Sequence, residues 1–261
     1  MPSQSKSASR PSVCFFGDSH LACLKLALDE GVKDAKKYDI EFWGAAGPAF
    51  RKLRWRDGAI HPDADAMEAV QLINQTGRAA LDPGDFDVIV FHACRLRAFN
   101  YLSEFLETNM GEDAFVSAAV RRASLESWLE SIRAFRMARA FAKAGKARIY
   151  FTTVPFPTDG IGPDLLADKP NAARAKTKDR KPLWLELRAV FEDLGITLIR
   201  QPEETIVRGC MTHPNCALPS ADELADSAHK NAHYGALVLD RVFSEIHKDL
   251  NRKDAGLQSV A

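Results

Sequence analysis

Val13-Cys14-Phe15-Phe16 is a short apolar run, stopped by Gly17 and followed at once by Asp18-Ser19-His20. Its length and aromatic content are those of a buried strand. Leu21, Leu24, Leu26 and Leu28 then fall among alanines and a lysine, all good helix formers, and Gly31 supplies a stop. The chain thus opens with strand, tight turn and helix. The pattern recurs outward. Tyr38 to Trp43 alternates and ends at Gly44. Phe86 to Phe91 is the clearest buried strand, Ala147 to Val154 ends at Pro155-Phe156-Pro157, and Ile196 to Ile199 is a short one. Helical spacing fills the intervals at 64–73, 101–146, 183–194 and 232–250, the last with Leu237, Val238, Val242, Ile246 and Leu250 on one face. Strands alternating with helices predict about five parallel strands in a sheet covered on both faces, a three-layer α/β/α fold.

The expected organisation is a disordered lead-in over 1–11, a single domain over 12–250 and a flexible tail over 251–261. Within the domain, 101–146 is a helical insertion and a candidate cap. The 261 residues carry 35 Lys and Arg against 35 Asp and Glu. A zero net charge argues against a nucleic-acid partner. No apolar run reaches the roughly 18 residues of a membrane span. Met1 to Pro11 is polar and Ser-rich, without the apolar core of a secretory signal. With five sparse cysteines, this gives the expectation of a cytoplasmic protein with reduced thiols. Cys210-x2-His213-x2-Cys216 is a lone run, short of the ligands zinc needs, so no metal is expected.

In an open parallel sheet, ligands bind beyond the carboxyl ends of the strands. The residues just after each strand are therefore the candidates. Ser19 sits at a strand-to-helix turn, where unpaired N–H groups and the helix dipole favour an anion. That suits a nucleophile, and equally a helix cap by Asp18 or Ser19. Asp226-x-x-His229 stands just before the final helix. The carboxylate can hold one imidazole tautomer, or the pair can be a cap beside a surface histidine. Gly44-Ala45-Ala46-Gly47 follows the second strand, and His92-Ala93-Cys94-Arg95 the third. Arg51, Lys52, Arg54 and Arg56, with Trp55 among them, suit an anionic group or a solvated face.

These blocks, in this order, resemble the SGNH hydrolases, the GDSL esterase and lipase superfamily. Gly17-Asp18-Ser19 matches its first block. Asp226-x-x-His229, with Asn231 and Tyr234-Gly235 beyond, matches its last. Gly-Asp-Ser-His is more like the carbohydrate O-acyl esterases and acyltransferases than the lipases. The resemblance implies a flavodoxin-like sheet, with Ser19 as nucleophile, His229 as base and Asp226 as its orienting partner. It also implies Gly47 as an oxyanion donor, with Asp18 and His20 lining the site. The third block usually reads Gly-x-Asn-Asp, and here no Asn stands there; Arg95 takes that place as oxyanion donor, substrate ligand or structural ion pair. The implied function is serine-dependent ester hydrolysis or O-acyl transfer on a small-molecule or glycan acyl ester, with no cofactor. The alternative is an SGNH-fold binding protein with weak or lost activity. A binuclear metallophosphoesterase lacks its Gly-Asn-His triplet here, and a nucleotide site lacks both the glycine fingerprint and the P-loop lysine.

Overall fold

The computed structural model describes residues 10–110 and 116–258. Five strands form one parallel sheet: β1 (Ser12–Gly17), β2 (Asp39–Gly44), β3 (Val88–His92), β4 (Arg148–Thr152) and β5 (Ile196–Ile199). Their spatial order is β2-β1-β3-β4-β5. This is the flavodoxin-like order, in which the direction of winding reverses between β1 and β3. Gly17 pairs with Gly44 on one side and His92 on the other, so all three strand ends lie together.

The two-residue period of the strands sorts their side chains between two cores. Val13, Phe15, Val88, Val90 and Tyr150 face one side, under the helices Leu21–Asp29 and Ala232–Gln258. Cys14, Phe16, Ile89, Phe91 and Phe151 face the other, under Arg133–Ala144 and Thr177–Glu192. Strands buried on both faces explain why they read as continuous apolar runs.

Among the described residues of 101–146 stand three helices, Ala98–Asn109, Ala118–Ser131 and Arg133–Ala144; residues 111–115 lie outside the described residues. The third is the crossover to β4. The first two pack along Thr177–Glu192 and place Leu102, Leu125 and Leu129 in the core. Thr177–Glu192 starts six residues before the expected Leu183. Pro182 lies in its second turn and leaves the Lys178 carbonyl without its helical N–H partner, yet the helix continues through it. The last helix runs past Leu250 to Gln258, since no proline interrupts that stretch. Of the lead-in, Pro11 is tied down where its carbonyl accepts from the Asp39 N–H at 3.0 Å; residues 1–9 lie outside the described residues. The basic run at 51–56 enters a hairpin, Leu53–Arg56 against Ala59–Pro62, turned by Asp57-Gly58 with φ of 51° and 81°. Positive φ at both turn residues is the tight hairpin geometry that Asp-Gly favours.

The first and last helices touch backbone to backbone. A Cβ on Gly235 would stand 2.0 Å from the Cys23 carbonyl oxygen. Gly235→Ala must therefore push the two helices apart. The expected cost is about 1–3 kcal/mol, the range for overpacking a tight core. Urea denaturation measures it, and an unchanged midpoint would show that the helices part freely.

Candidate active site

The loops after β1 and β3 meet where the winding reverses, and the loop before the last helix joins them. Ser19 ends the turn after β1. His229 Nε2 lies 2.8 Å from Ser19 Oγ, across 210 residues of sequence. His229 Nδ1 lies 2.7 Å from Asp226 Oδ2, while Asp226 Oδ1 accepts the backbone N–H groups of Ala228 and His229 at 3.0 and 3.1 Å. Burial pushes the Asp226 carboxyl up, but these hydrogen bonds, led by that from the His229 ring, outweigh it and hold it below the usual range. A carboxylate so held fixes the imidazole with Nε2 facing the serine.

The turn carrying His229 is pinned from below. Lys230 is 2% exposed, and its ammonium donates to the carbonyls of Ser227 at 2.7 Å and Ala228 at 3.1 Å. Burial pulls its pKa down to about 8. The Asn231 N–H donates to the Cys216 carbonyl, and its side chain caps the last helix through the Tyr234 N–H at 3.1 Å. His20 lies against His229, ring centroids 5.2 Å apart. Burial, then the charges of His229, Lys230, Arg95 and Arg97, push its pKa down to about 3.

Gly47 and Arg95 complete the same corner. Gly47 has φ 57°, a left-handed conformation that glycine adopts without strain. Its carbonyl accepts from Arg95 Nη2 at 3.1 Å. Arg95 Nε is 3.1 Å from Oδ2 of Asp18, whose other oxygen accepts the His20 N–H at 3.2 Å. Asp18 is buried, and the Arg95 side chain is about one-third exposed. The carboxylate partner expected of a structural arginine is thus present, and it lies beside Ser19.

Sequence reasoning missed how this loop is built. Ala93, Cys94 and Arg95 all have positive φ, 60°, 26° and 66°. A non-glycine residue there costs on the order of 1–2 kcal/mol. The loop is held by an Ala93 N–H bond to Thr152 Oγ1 at 3.0 Å, a Cys94 Sγ contact to the Phe16 carbonyl at 3.2 Å, and the Arg95 ion pair. Strain of this kind gathers where a side chain must be aimed. No local propensity marks it, because none of the three is glycine or asparagine. Among the described residues no group of three His, Cys, Asp or Glu side chains is placed to hold a metal ion. His213 Nδ1 accepts instead from the Asn215 N–H.

The family model described as SGNH domain (fused to AT3 domains) matches residues 2–201. The chain belongs to this SGNH family. The match takes in Ser19, Gly47 and Arg95 and stops short of Asp226 and His229. Two solved structures align over most of this SGNH domain. One is the lipopolysaccharide acetyltransferase periplasmic domain of Salmonella ser. Paratyphi A, 13% identical, TM-score 0.40, covering 91% of this chain and 84% of that one. The other is the extracellular lipase of Streptomyces rimosus, 13% identical, TM-score 0.40, covering 88% and 98%. No curated protein matches the chain in sequence. Family membership supports acyl-ester chemistry, by hydrolysis or transfer. It also corrects the cytoplasmic expectation, because the matching family is one of SGNH domains fused to AT3 domains, which argues against a cytoplasmic protein. The polar, Ser-rich composition of Met1 to Pro11 does not by itself locate such a domain. Among the described residues no helix is long and apolar enough to cross a membrane.

His92 supplies a pH test. It is buried at the end of β3, its Nδ1 2.9 Å from Thr152 Oγ1. Burial, then the charge of His20, push its pKa from 6.5 down to about 3. Between those values the unfolded chain binds a proton that the folded chain does not. Stability therefore falls as pH drops from 6.5 towards 3, by up to about 1.4 kcal/mol per pH unit from this group. In His92→Asn, which keeps a polar group at the Nδ1 position, the fall between pH 6 and 4 should be shallower by that amount. Parallel urea-denaturation curves for wild type and variant would refute it.

Proposed function

We propose that this SGNH domain is a serine-dependent acyl-ester enzyme that hydrolyses the ester or passes its acyl group to a carbohydrate hydroxyl. The supporting observation is the unbroken series from Ser19 Oγ through His229 to Asp226, with contacts of 2.8 and 2.7 Å. Hydrogen-bonded nucleophile, base and orienting carboxylate are what covalent acyl transfer needs.

In this reading Ser19 Oγ attacks the acyl carbon as His229 Nε2 takes its proton. The carbonyl oxygen becomes an oxyanion, received by the backbone N–H groups of Ser19 and Gly47. The intermediate collapses, the bond to the alcohol oxygen breaks, and His229 returns the proton to that oxygen. Water or a sugar hydroxyl then gives its proton to His229 and attacks the acyl-serine, and Ser19 regains its proton as the product leaves. Asp226 balances the imidazolium in both halves. His20, held neutral against the ring, adds no competing positive charge.

Arg95 stands where the family pattern places an asparagine donor. Two of its nitrogens engage Asp18 and Gly47. It therefore acts by bracing Ser19's neighbour to the Gly47 loop, and its positive field favours the oxyanion beside them.

A serine-directed phosphonate should add to wild type and not to Ser19→Ala, read by intact mass. Ser19→Ala and His229→Ala should each lose nearly all turnover of 4-nitrophenyl acetate, and the double variant little more, because the groups act as a unit. Activity that survives in Ser19→Ala would reveal a different nucleophile. No turnover and no labelling in wild type would leave an SGNH-fold binding protein.

Arg95→Ala should lower turnover about 10²-fold, the scale of a lost oxyanion-hole donor, and leave the Asp18 carboxylate unpaired. Arg95→Lys should regain melting temperature, since an ammonium can still pair with Asp18. It should not regain turnover, since it lacks the planar fork that also reaches Gly47. Recovery of both together would make Arg95 a purely structural residue.

A further inference from the structure

Beside Arg95 the surface opens into a cleft of about 290 Å³. Its floor is apolar, with Phe50, Leu53 and Met137, and its walls carry Arg51, Arg95 and Arg133. These arginines come from three separate parts of the chain: the turn after Gly47, the strained loop after β3 and the start of the Arg133–Ala144 helix. Arg136 stands one turn along that helix.

The charge around the cleft is unbalanced. Asp18 pairs with Arg95, Asp63 with Arg54 and Glu130 with Arg139. Arg51, Arg133 and Arg136 form no ion pair among the described residues. Arg133 is fixed in place by donating to the backbone carbonyls of Arg51 and Leu53. Burial and the charges of Arg54 and Arg136 lower its pKa against the smaller opposing charge of Asp63, which itself pairs with Arg54. The helix it begins has no side-chain cap, so its N-terminal N–H groups add to the positive field. Cations fixed together over an apolar floor are more favourable with an anion between them than alone. The cleft shares Arg95 with the corner that holds Asp18 and Gly47, so its occupant adjoins the Ser19 site.

We propose that this cleft is the subsite for a negatively charged group on the acyl ester, a carboxylate or phosphate borne by its sugar portion. The inference rests on the acyl-ester reading for its placement beside Ser19, and it defines the substrate class as an anionic carbohydrate ester.

The test is equilibrium binding, which needs no turnover. Dissociation constants of glucuronate, glucose 6-phosphate and glucose are measured for the intact protein, at low salt and at 0.15 M. At least one anionic sugar should bind about tenfold or more tightly than glucose, the scale of one charge-assisted hydrogen bond. The preference should narrow as salt rises. Glucuronate alone, or glucose 6-phosphate alone, would fix the anion as carboxylate or phosphate. In Arg51→Gln/Arg133→Gln the preference should fall to within about twofold, while Arg188→Gln, on the Thr177–Glu192 helix that does not line the cleft, keeps it. If the double variant does not fold, Arg51→Gln alone should lose part of the preference, since the Arg51 side chain has no hydrogen-bond partner among the described residues. Equal or undetectable binding of the three sugars by wild type, or a preference that survives the double variant, overturns the subsite. The acyl-ester reading is judged separately, by Ser19-dependent turnover of the neutral ester 4-nitrophenyl acetate: that activity without anion preference sinks the subsite alone, and anion preference without that activity sinks the enzyme alone.

Discussion

The contact of Gly235 with the Cys23 backbone is the constraint on which the site depends. The first helix begins two residues after Ser19, and the last begins three after His229. Both lie on the same face of the sheet, with Leu24, Leu239 and Phe243 in one core. With the two backbones in contact, the turns that precede the helices are brought to one place. A 2.8 Å bond across 210 residues is then a consequence of helix packing. Lys230 and Asn231 fix the His229 turn locally, but they work from a helix already in position.

A second lock joins the strand ends. Asp18 follows β1, Gly47 follows β2 and Arg95 follows β3, and the guanidinium holds all three together. The cost is three successive left-handed residues without glycine, stabilised by bonds to Thr152 and Phe16 from the neighbouring strands. The same loop that braces the first turn also sets Arg95 at the mouth of the arginine-lined cleft. Site and cleft therefore share one element, the loop that carries Arg95.

The electrostatics follow from where water is excluded. His20 and His92 are kept neutral by burial near the same strand ends, Asp226 is kept charged by its hydrogen bonds, and Lys230 is buried under the turn with carbonyl partners. Two neutral imidazoles thus lie near a fixed carboxylate, the electrostatic setting on which the proposed role of His229 rests.

The strands and most helices were legible in the sequence because their causes are local. Val13 to Phe16 and Phe86 to Phe91 are largely apolar because a parallel sheet is buried on both faces, and Gly17 after the first marks its turn. Ser19, Asp226 and His229 stood out as two short blocks through their order and their resemblance to the family's first and last blocks, since the local turn chemistry at each equally suits a helix cap. The Leu53–Pro62 hairpin was missed although Asp57-Gly58 signals it, because the surrounding charge masked the alternation. The helix at Thr177 was missed because Pro182 looked like a boundary, whereas a proline in an early turn costs less. Nothing local reveals that Arg95 bonds Asp18 and Gly47, that Ala93 to Arg95 are left-handed, that Lys230 is buried, or that Arg51 and Arg133 share a wall. Those facts depend on which distant segments the packed sheet and helices bring within a few ångströms, so the patterns of strand, helix and turn belong to the sequence, and the partners of its charged side chains belong to the tertiary structure.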